Sequence, residues 1–219
     1  RTLIGIVNSL NVLSNLPFIL VGSWGLIHVL RNELGTNELA AAYAVFFLGV
    51  FLTGFGSGYY HLAPTNETLV WDRLPMTIAF AGLFSAVIGE FVSTRLGRRL
   101  LLPLLVAGAG SVAYWAMTEA RGAGDLRPYA VVQFLPMLLT PFILAVNAGG
   151  RRTTRYFWGV ILFYVLSKVA EFYDAEVFSA LHAVSGHSLK HLLAALSPVA
   201  LLIGLTAVSR DTKLGRAPH

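Results

Sequence analysis

The sequence has 219 residues, of which 56% are hydrophobic and 12% are charged, and it contains no cysteine. A soluble domain carries about 25% charged residues, so the composition excludes an ordinary soluble protein. The absence of cysteine excludes disulfides, thiolate metal sites and cysteine nucleophiles. The formal net charge of +5 comes from basic residues clustered between apolar segments, a pattern typical of membrane topology that predicts no nucleic-acid partner.

Apolar stretches of about 20 residues, the length that crosses the hydrocarbon core of a bilayer, recur along the chain. In chain order they predict seven helices at 9–30, 39–62, 70–92, 99–118, 127–147, 154–174 and 187–208, each end being defined to within a few residues. The segment 175–186 is too short and too polar to span, and it is interpreted as a loop or a short interfacial helix. Residues 1–219 are therefore predicted to form one all-α membrane domain, a seven-transmembrane helix bundle.

Seven crossings would place the two ends of the chain on opposite sides of the membrane. Basic residues accumulate in cytoplasmic loops, and here they favour the side of the C-terminus. The sequence therefore predicts an extracytoplasmic N-terminus and a cytoplasmic C-terminus. The residues assigned to the cytoplasmic side are Arg31, Arg95, Arg98, Arg99, Arg151, Arg152, Arg155, Arg210, Lys213 and Arg216, against Arg1, Arg73, Arg121, Arg127 and the nearby Lys190 on the other side.

Five polar residues from distant parts of the chain are predicted to lie at the extracytoplasmic ends of their helices. Ser57 and His61 close the second helix, Asp72 opens the third, and His187 and His191 open the seventh. Ionisable residues inside a membrane are costly and usually functional. Since all five fall in the same leaflet, we expect them to form one site.

The three histidines predict a metal site. Residues four apart on a helix share a face, so His187 and His191 can bind one ion while His61 supplies a third nitrogen. Three imidazoles with one open position are a recurring ligand set of catalytic zinc, which activates water at neutral pH. Asp72 is predicted to accept the proton of the water, or to orient the water, and later to protonate a leaving amine. Ser57 is the predicted donor to the developing oxyanion.

Other polar residues allow two interpretations each. Asn8, Asn11 and Asn15 form one stripe on the first helix, which either lines a substrate cavity or makes hydrogen bonds between helices. Asp72 and Arg73 could instead form a plain interfacial ion pair.

Two further features concern the interior of the bundle. Lys168 and Glu171 lie one turn apart and are predicted to pair, which lowers the cost of both charges. The alternative gives Glu171 or Asp174 a role beside the metal ligands or in holding a lipid head group. Gly108 and Gly110 predict a close contact between helices.

The five-residue pattern resembles that of the alkaline ceramidase family and, more widely, of the CREST superfamily of seven-span membrane proteins. The matching motifs are Ser-x-x-x-His on the second helix, Asp at the start of the third and His-x-x-x-His on the seventh, here Ser57 and His61, Asp72, and His187 and His191. The sequences of residues 56–76 (GSGYYHLAPTNETLVWDRLPM) and 185–191 (SGHSLKH) are similar to bacterial members of the family.

The resemblance implies a zinc-dependent amidase that cleaves a ceramide-like membrane lipid to a fatty acid and a sphingoid base. It places Zn²⁺ on the three histidines, and the protein in a bacterial inner membrane. Eukaryotic members carry an acidic calcium site before the first helix, whereas this sequence has no Asp or Glu before Glu33, so it predicts no calcium site. Oligomeric state is not predicted by any pattern in the chain.

Three alternatives to this function stay open from the sequence. One is a receptor or sensor of the adiponectin-receptor type that keeps the zinc site. Another is a hydrolase of a different acyl lipid, since site type does not fix substrate. The third is a transporter that uses Asp72, Lys168 and Glu171 as a proton relay, although an inverted repeat is not evident.

Overall fold

The computed structural model describes residues 8–147, 149 and 151–215. Within these ranges the chain forms helices and no strand, so the predicted all-α class is confirmed. The helices are α1 (Ser9–Leu13), α2 (Leu16–Leu30), α3 (Ala40–Leu62), α4 (Asn66–Phe91), α5 (Thr94–Glu119), α6 (Arg127–Asn147), α7 (Thr154–Phe172), α8 (Asp174–Leu181) and α9 (Gly186–Lys213), with a 3₁₀ turn at Asn37–Leu39. Arg1 and Arg216, which entered the topology prediction, lie outside the described residues.

Six described segments are long and apolar enough to cross a membrane, which indicates a multi-pass membrane protein. They are Ser9–Leu30, Ala40–Leu62, Asn66–Phe91, Thr94–Glu119, Arg127–Asn147 and Gly186–Lys213. The remaining predicted span corresponds to α7, whose 19 residues include the charged residues Arg155, Lys168 and Glu171. Those charges lower its apolar character, and the count of seven crossings stays a prediction.

Helix ends follow capping chemistry that apolar periodicity does not detect. The helix predicted at 127–147 is observed as α6 with the same bounds. In contrast, α4 begins at Asn66 rather than at 70, because Thr65 and Thr68 cap each other's backbone N–H groups. Similarly, α5 begins at Thr94 rather than at 99, where the Ser93 side chain accepts the N–H of Leu96. Segment 175–186, predicted to be a loop or a short interfacial helix, contains most of the short helix α8.

The predicted first helix is broken. It divides into α1 and α2 at Ser14 and Asn15. Pro17 lacks the N–H that would bond to the carbonyl of Leu13, so the helical ladder is interrupted there. The break leaves Ser14 and Asn15 buried in the bundle.

Helices α3 and α4 approach to backbone contact in the core. A Cβ atom added at Gly82 of α4 would lie 2.4 Å from the backbone nitrogen of Phe46 in α3. The predicted contact at Gly108 is confirmed, since its added Cβ would lie 2.8 Å from Cβ of Thr77. The prediction for Gly110 is wrong, because none of the described atoms comes within 4 Å of a Cβ placed there.

These contacts give a matched test of packing. We expect Gly82→Ala to destabilise the protein by about 1–3 kcal/mol, because the added methyl group must push α3 and α4 apart. Gly110→Ala has open space and gains up to about 1 kcal/mol of helix propensity, so it should be neutral or stabilising. Thermal unfolding of both variants in detergent, followed by circular dichroism, measures the difference. Equal unfolding temperatures for the two variants would contradict the close contact of α3 and α4 at Gly82.

Candidate metal centre

Three histidines from two helices meet at one end of the bundle. His61 lies in the last turn of α3, while His187 and His191 lie in the first two turns of α9. Their ligand nitrogens all fall within 4.8 Å of one another, and Nε2 of His187 is 3.1 Å from Nε2 of His61. A tetrahedral ion with metal–nitrogen bonds of about 2.0 Å holds its nitrogens about 3.3 Å apart. The cluster therefore could hold a metal ion after small side-chain movements.

The start of α9 is fixed against the end of α7. A Cβ atom at Gly186 would lie 2.2 Å from the carbonyl oxygen of Ala170, so the two backbones touch. One residue later, the backbone N–H of His187 donates to Oδ1 of Asp174 at 2.6 Å. Asp174 thus orients the turn that carries His187, and its predicted role beside the metal ligands stays a prediction.

The break between α1 and α2 supplies partners for the outer nitrogen of His191. Oγ of Ser14 lies 2.8 Å from Nδ1 of His191, and Nδ2 of Asn15 lies 3.4 Å from it. With Nδ1 engaged in this way, Nε2 of His191 is available to bind an ion. Sequence reasoning missed Ser14, although Pro17 is the signal for the break that exposes its hydroxyl to α9.

The asparagine stripe makes hydrogen bonds between helices. Nδ2 of Asn8 donates to the carbonyl oxygen of His61 at 3.3 Å, and Oδ1 of Asn11 accepts from the hydroxyl of Ser188 at 2.5 Å. Asn15 also lines the main cavity. The predicted hydrogen bonds between helices are therefore present and join α1 to each of the two helices that carry histidines. The role of the stripe in a substrate cavity stays a prediction.

Ser57 and Asp72 are brought side by side by a second backbone contact. A Cβ atom at Gly56 in α3 would lie 1.9 Å from the carbonyl oxygen of Trp71 in α4. The next residue on each helix is Ser57 and Asp72, and the serine hydroxyl can donate to the carboxylate. Both residues line one cavity together with His191.

Arg73 does not form the plain ion pair with Asp72 that was one interpretation. Among the described residues, no carboxylate oxygen of Asp72 lies within 4.0 Å of the Arg73 guanidinium. The guanidinium instead lies 4.2 Å from the ring centre of Trp115 and 5.2 Å from that of Tyr129, where cation–π attraction holds it. The Asp72 carboxylate therefore remains available to the cavity.

The cavity runs from the histidine cluster into the apolar interior, with a volume of about 140 Å³. Its wall includes Asp72 and, further along α4, Met76, Phe80 and Leu83. These residues follow the helix for about 16 Å at 1.5 Å per residue. The opposite walls come from α3, α6, α7 and α9, and most of the cavity surface is apolar. Such a shape suits a hydrocarbon chain that extends away from the histidines.

Two lysines line the same cavity and share one carboxylate. Nζ of Lys168 is 2.7 Å from Oε2 of Glu171, and Nζ of Lys190 is 2.8 Å from Oε1 of Glu171. The predicted pair of Lys168 and Glu171 is confirmed. Lys190, counted with the extracytoplasmic side in the topology prediction, instead lies on α9 between the two histidines and faces the cavity. Sequence analysis missed its contact with Glu171, since the partners are 19 residues apart.

The fold and the site define a helical, multi-pass membrane protein with a candidate three-histidine metal centre. A family model described as Ceramidase matches residues 4–173. That range covers more than half of the chain, so the protein belongs to the Ceramidase family, and the predicted resemblance is confirmed. A comparison with curated proteins gave no match. The matched range contains His61 and ends before His187 and His191. The structure shows that these two histidines lie beside His61.

The hydrogen bond from Ser14 to His191 generates a prediction about metal affinity. We expect Ser14→Ala to weaken metal binding about 10- to 100-fold, because the outer nitrogen of a ligand imidazole loses its partner. The measurement is the metal content of the purified protein after dialysis against graded concentrations of a chelator. Ser23→Ala is the control, since Ser23 bonds only to the carbonyl of Leu20 in its own helix. Identical retention curves for the two variants would show that Ser14 has no such role.

Proposed function

We propose that this protein is an intramembrane zinc-dependent hydrolase that cleaves the amide bond of a ceramide-like lipid to a fatty acid and a sphingoid base. The observation that carries the proposal is the three-imidazole cluster, of which His191 lines an apolar cavity together with Asp72 and Ser57. Membership of the Ceramidase family supports the reaction and the lipid class.

The donor set fits zinc. His61, His187 and His191 would hold it through neutral nitrogens, with one tetrahedral position left open. Zinc in such a site supplies a water that is deprotonated near neutral pH and a positive charge that polarises a carbonyl group. With no cysteine in the chain, imidazole and carboxylate are the ligand types that this cavity offers.

Asp72 acts as the general base and then as the general acid of the reaction. Its carboxylate accepts the proton of the hydrolytic water as the water oxygen bonds to the acyl carbon, and returns it to the amine nitrogen as the carbon–nitrogen bond breaks. The products are a fatty acid and a free amine, and the carboxylate ends in its starting state. The cation–π contacts of Arg73 keep its guanidinium away from this carboxylate.

Ser57 has one hydroxyl proton and therefore serves one acceptor at a time. Before reaction its hydroxyl can donate to Asp72 and so orient the carboxylate. Once Asp72 has taken up the proton from water, the Ser57 hydroxyl is free to donate to the oxyanion that forms on the attacked carbonyl. The contact that places Gly56 against Trp71 keeps both side chains in reach of the same substrate.

We propose further that α7 is the seventh crossing, with the site on the extracytoplasmic side. Along α7 the exposed residues Leu162, Val165, Leu166 and Val169 recur at helical spacing and form one apolar stripe, which suits contact with lipid. Its length of 19 residues corresponds to about 28 Å, close to the thickness of the hydrocarbon core.

The observed contacts also support the proposed orientation. Arg73 lies within α4 and is held by the aromatic rings of Trp115 and Tyr129. Lys190 lies in the cavity wall. Neither therefore counts as a loop charge, which leaves the extracytoplasmic loops with even fewer basic residues. The bias toward the opposite side supports a cytoplasmic C-terminus and an inner-membrane location.

Removing a ligand tests the metal and the reaction together. We expect His187→Ala to lose both bound zinc and lipid hydrolysis, because two imidazoles do not hold the ion tightly enough. Metal analysis and untargeted mass spectrometry of a membrane lipid extract after incubation are the two measurements. His182→Asn is the control, since His182 is exposed at the end of α8 and Asn tolerates its positive φ of 55°. Full hydrolysis by metal-free protein would reject the mechanism, and bound lipid without product would favour a receptor.

Asp72→Asn separates proton transfer from metal binding. We expect the variant to keep its zinc and to lose about 10²- to 10⁴-fold in kcat, because an amide side chain cannot accept the proton. Asp125→Asn is the matched control, since Asp125 lies in a loop and pairs with Arg127. Steady-state hydrolysis of a ceramide measures both variants, and an unchanged kcat for Asp72→Asn would remove Asp72 from the reaction.

A further inference from the structure

The carboxylate of Glu171 bonds to both Lys168 and Lys190, and this trio has no part in the proposed hydrolysis. Two ammonium groups meet one carboxylate, so the trio carries an excess positive charge inside a largely apolar cavity. Each lysine has three N–H donors, and the described structure gives each of them one hydrogen bond, to Glu171. Both lysines line the cavity and have donors left for a ligand.

The trio lies at the depth of the reacting groups. Lys190 directly precedes His191 on α9, and Lys168 lies about one turn from the end of α7. The charged residues that line the cavity are the two lysines and Asp72, with Glu171 bonded to both lysines from behind. A ligand group that meets the lysines would therefore share this cavity with an amide placed at His191.

A neutral head group would leave the spare N–H donors of both lysines without a charged acceptor, because Asp72 lines the same cavity but, in the described part of the chain, has no carboxylate oxygen within 4.0 Å of either ammonium group. An anionic oxygen accepts strong, charge-assisted hydrogen bonds from ammonium groups. The polar strip continues past Lys168 to Tyr164 and Gln133, whose side chains meet at 3.5 Å and also line the cavity. This wall therefore suits a compact acidic group better than a plain hydroxymethyl group.

We propose that Lys168 and Lys190 form an anion subsite for the head group, so that the favoured substrate is an acidic N-acyl lipid with its charge close to the scissile amide. This inference rests on the proposed function for the position of the amide. Glu171 holds both ammonium groups in place between binding events. The hydrocarbon chain of the same lipid extends along α4 toward Leu83.

A matched pair of lipids tests the subsite. C16 ceramide and C16 ceramide 1-phosphate share the acyl chain and the base and differ only in the phosphate, which lies one carbon from the carbon that bears the amide. We expect the phosphate to give a KM about 10- to 100-fold lower, as a charge-assisted hydrogen bond is worth that factor, with similar kcat. Equal KM values, or a lower KM for neutral ceramide, would overturn the subsite.

Substitutions assign the preference to the lysines. Lys168→Met should remove most of the difference in KM, whereas Lys168→Arg should keep it and Lys213→Met, at the far end of α9, should not change it. Lys190→Met should act like Lys168→Met. If the phosphate preference survives in both methionine variants, the lysines do not form the subsite.

Binding to a variant that does not turn over keeps this test separate from the proposed function. The Asp72→Asn protein in detergent micelles is titrated with each lipid, and dissociation constants are measured by thermophoresis. Tighter binding of the phosphate that depends on Lys168 supports the subsite, even if neither lipid is hydrolysed by the unsubstituted protein and the hydrolase proposal fails. Equal affinities overturn the subsite, even if ceramide is hydrolysed.

Discussion

Direct backbone contact between neighbouring helices is the constraint on which the site depends. Gly56 touches Trp71 where α3 meets α4, and Gly186 touches Ala170 where α9 meets α7. Helices in lipid gain no hydrophobic advantage from associating, so close van der Waals packing at small residues holds them together. Each of these contacts lies next to a side chain of the candidate site, and an error of about 1 Å in the position of a catalytic group costs catalysis heavily.

Polar groups in this bundle are joined to one another across helices. Each buried donor or acceptor that lacks a partner costs free energy in a membrane interior, and the asparagine stripe of α1 meets that demand for α3 and α9. The Ser14 hydroxyl, which donates to the backbone carbonyl of Asn11, lies 2.8 Å from Nδ1 of His191 and so links the ring to α1. The hydrogen bonds that satisfy buried polar groups therefore also orient the candidate metal ligands. Their loss would affect stability and metal affinity together.

The sequence predicted those features that depend on local spacing. His-x-x-x-His places two ligands on one face, and apolar length located α6 to the residue. The convergence of His61 with that pair, which the structure shows, was also expected, because the predicted topology places the three chain segments in one leaflet. The partners Ser14 and Lys190 were not predictable, since their contacts join residues 177 and 19 positions apart. Their geometry depends on a helix break and a helix rotation that periodicity does not describe.

A metal ion at this centre would act on the fold as well as on the substrate. His61 and His187 are separated by 126 residues, so an ion held by both would join α3 to α9. Without an ion, the Nε2 atoms of His187 and His61, which lie 3.1 Å apart, can share only one hydrogen bond, because one of them must donate and the other accept. Because binding to the folded state alone raises stability by mass action, the ion would hold together the same two helices whose side chains form the cavity. The same ion would then both position the side chains of the site and stabilise this end of the bundle.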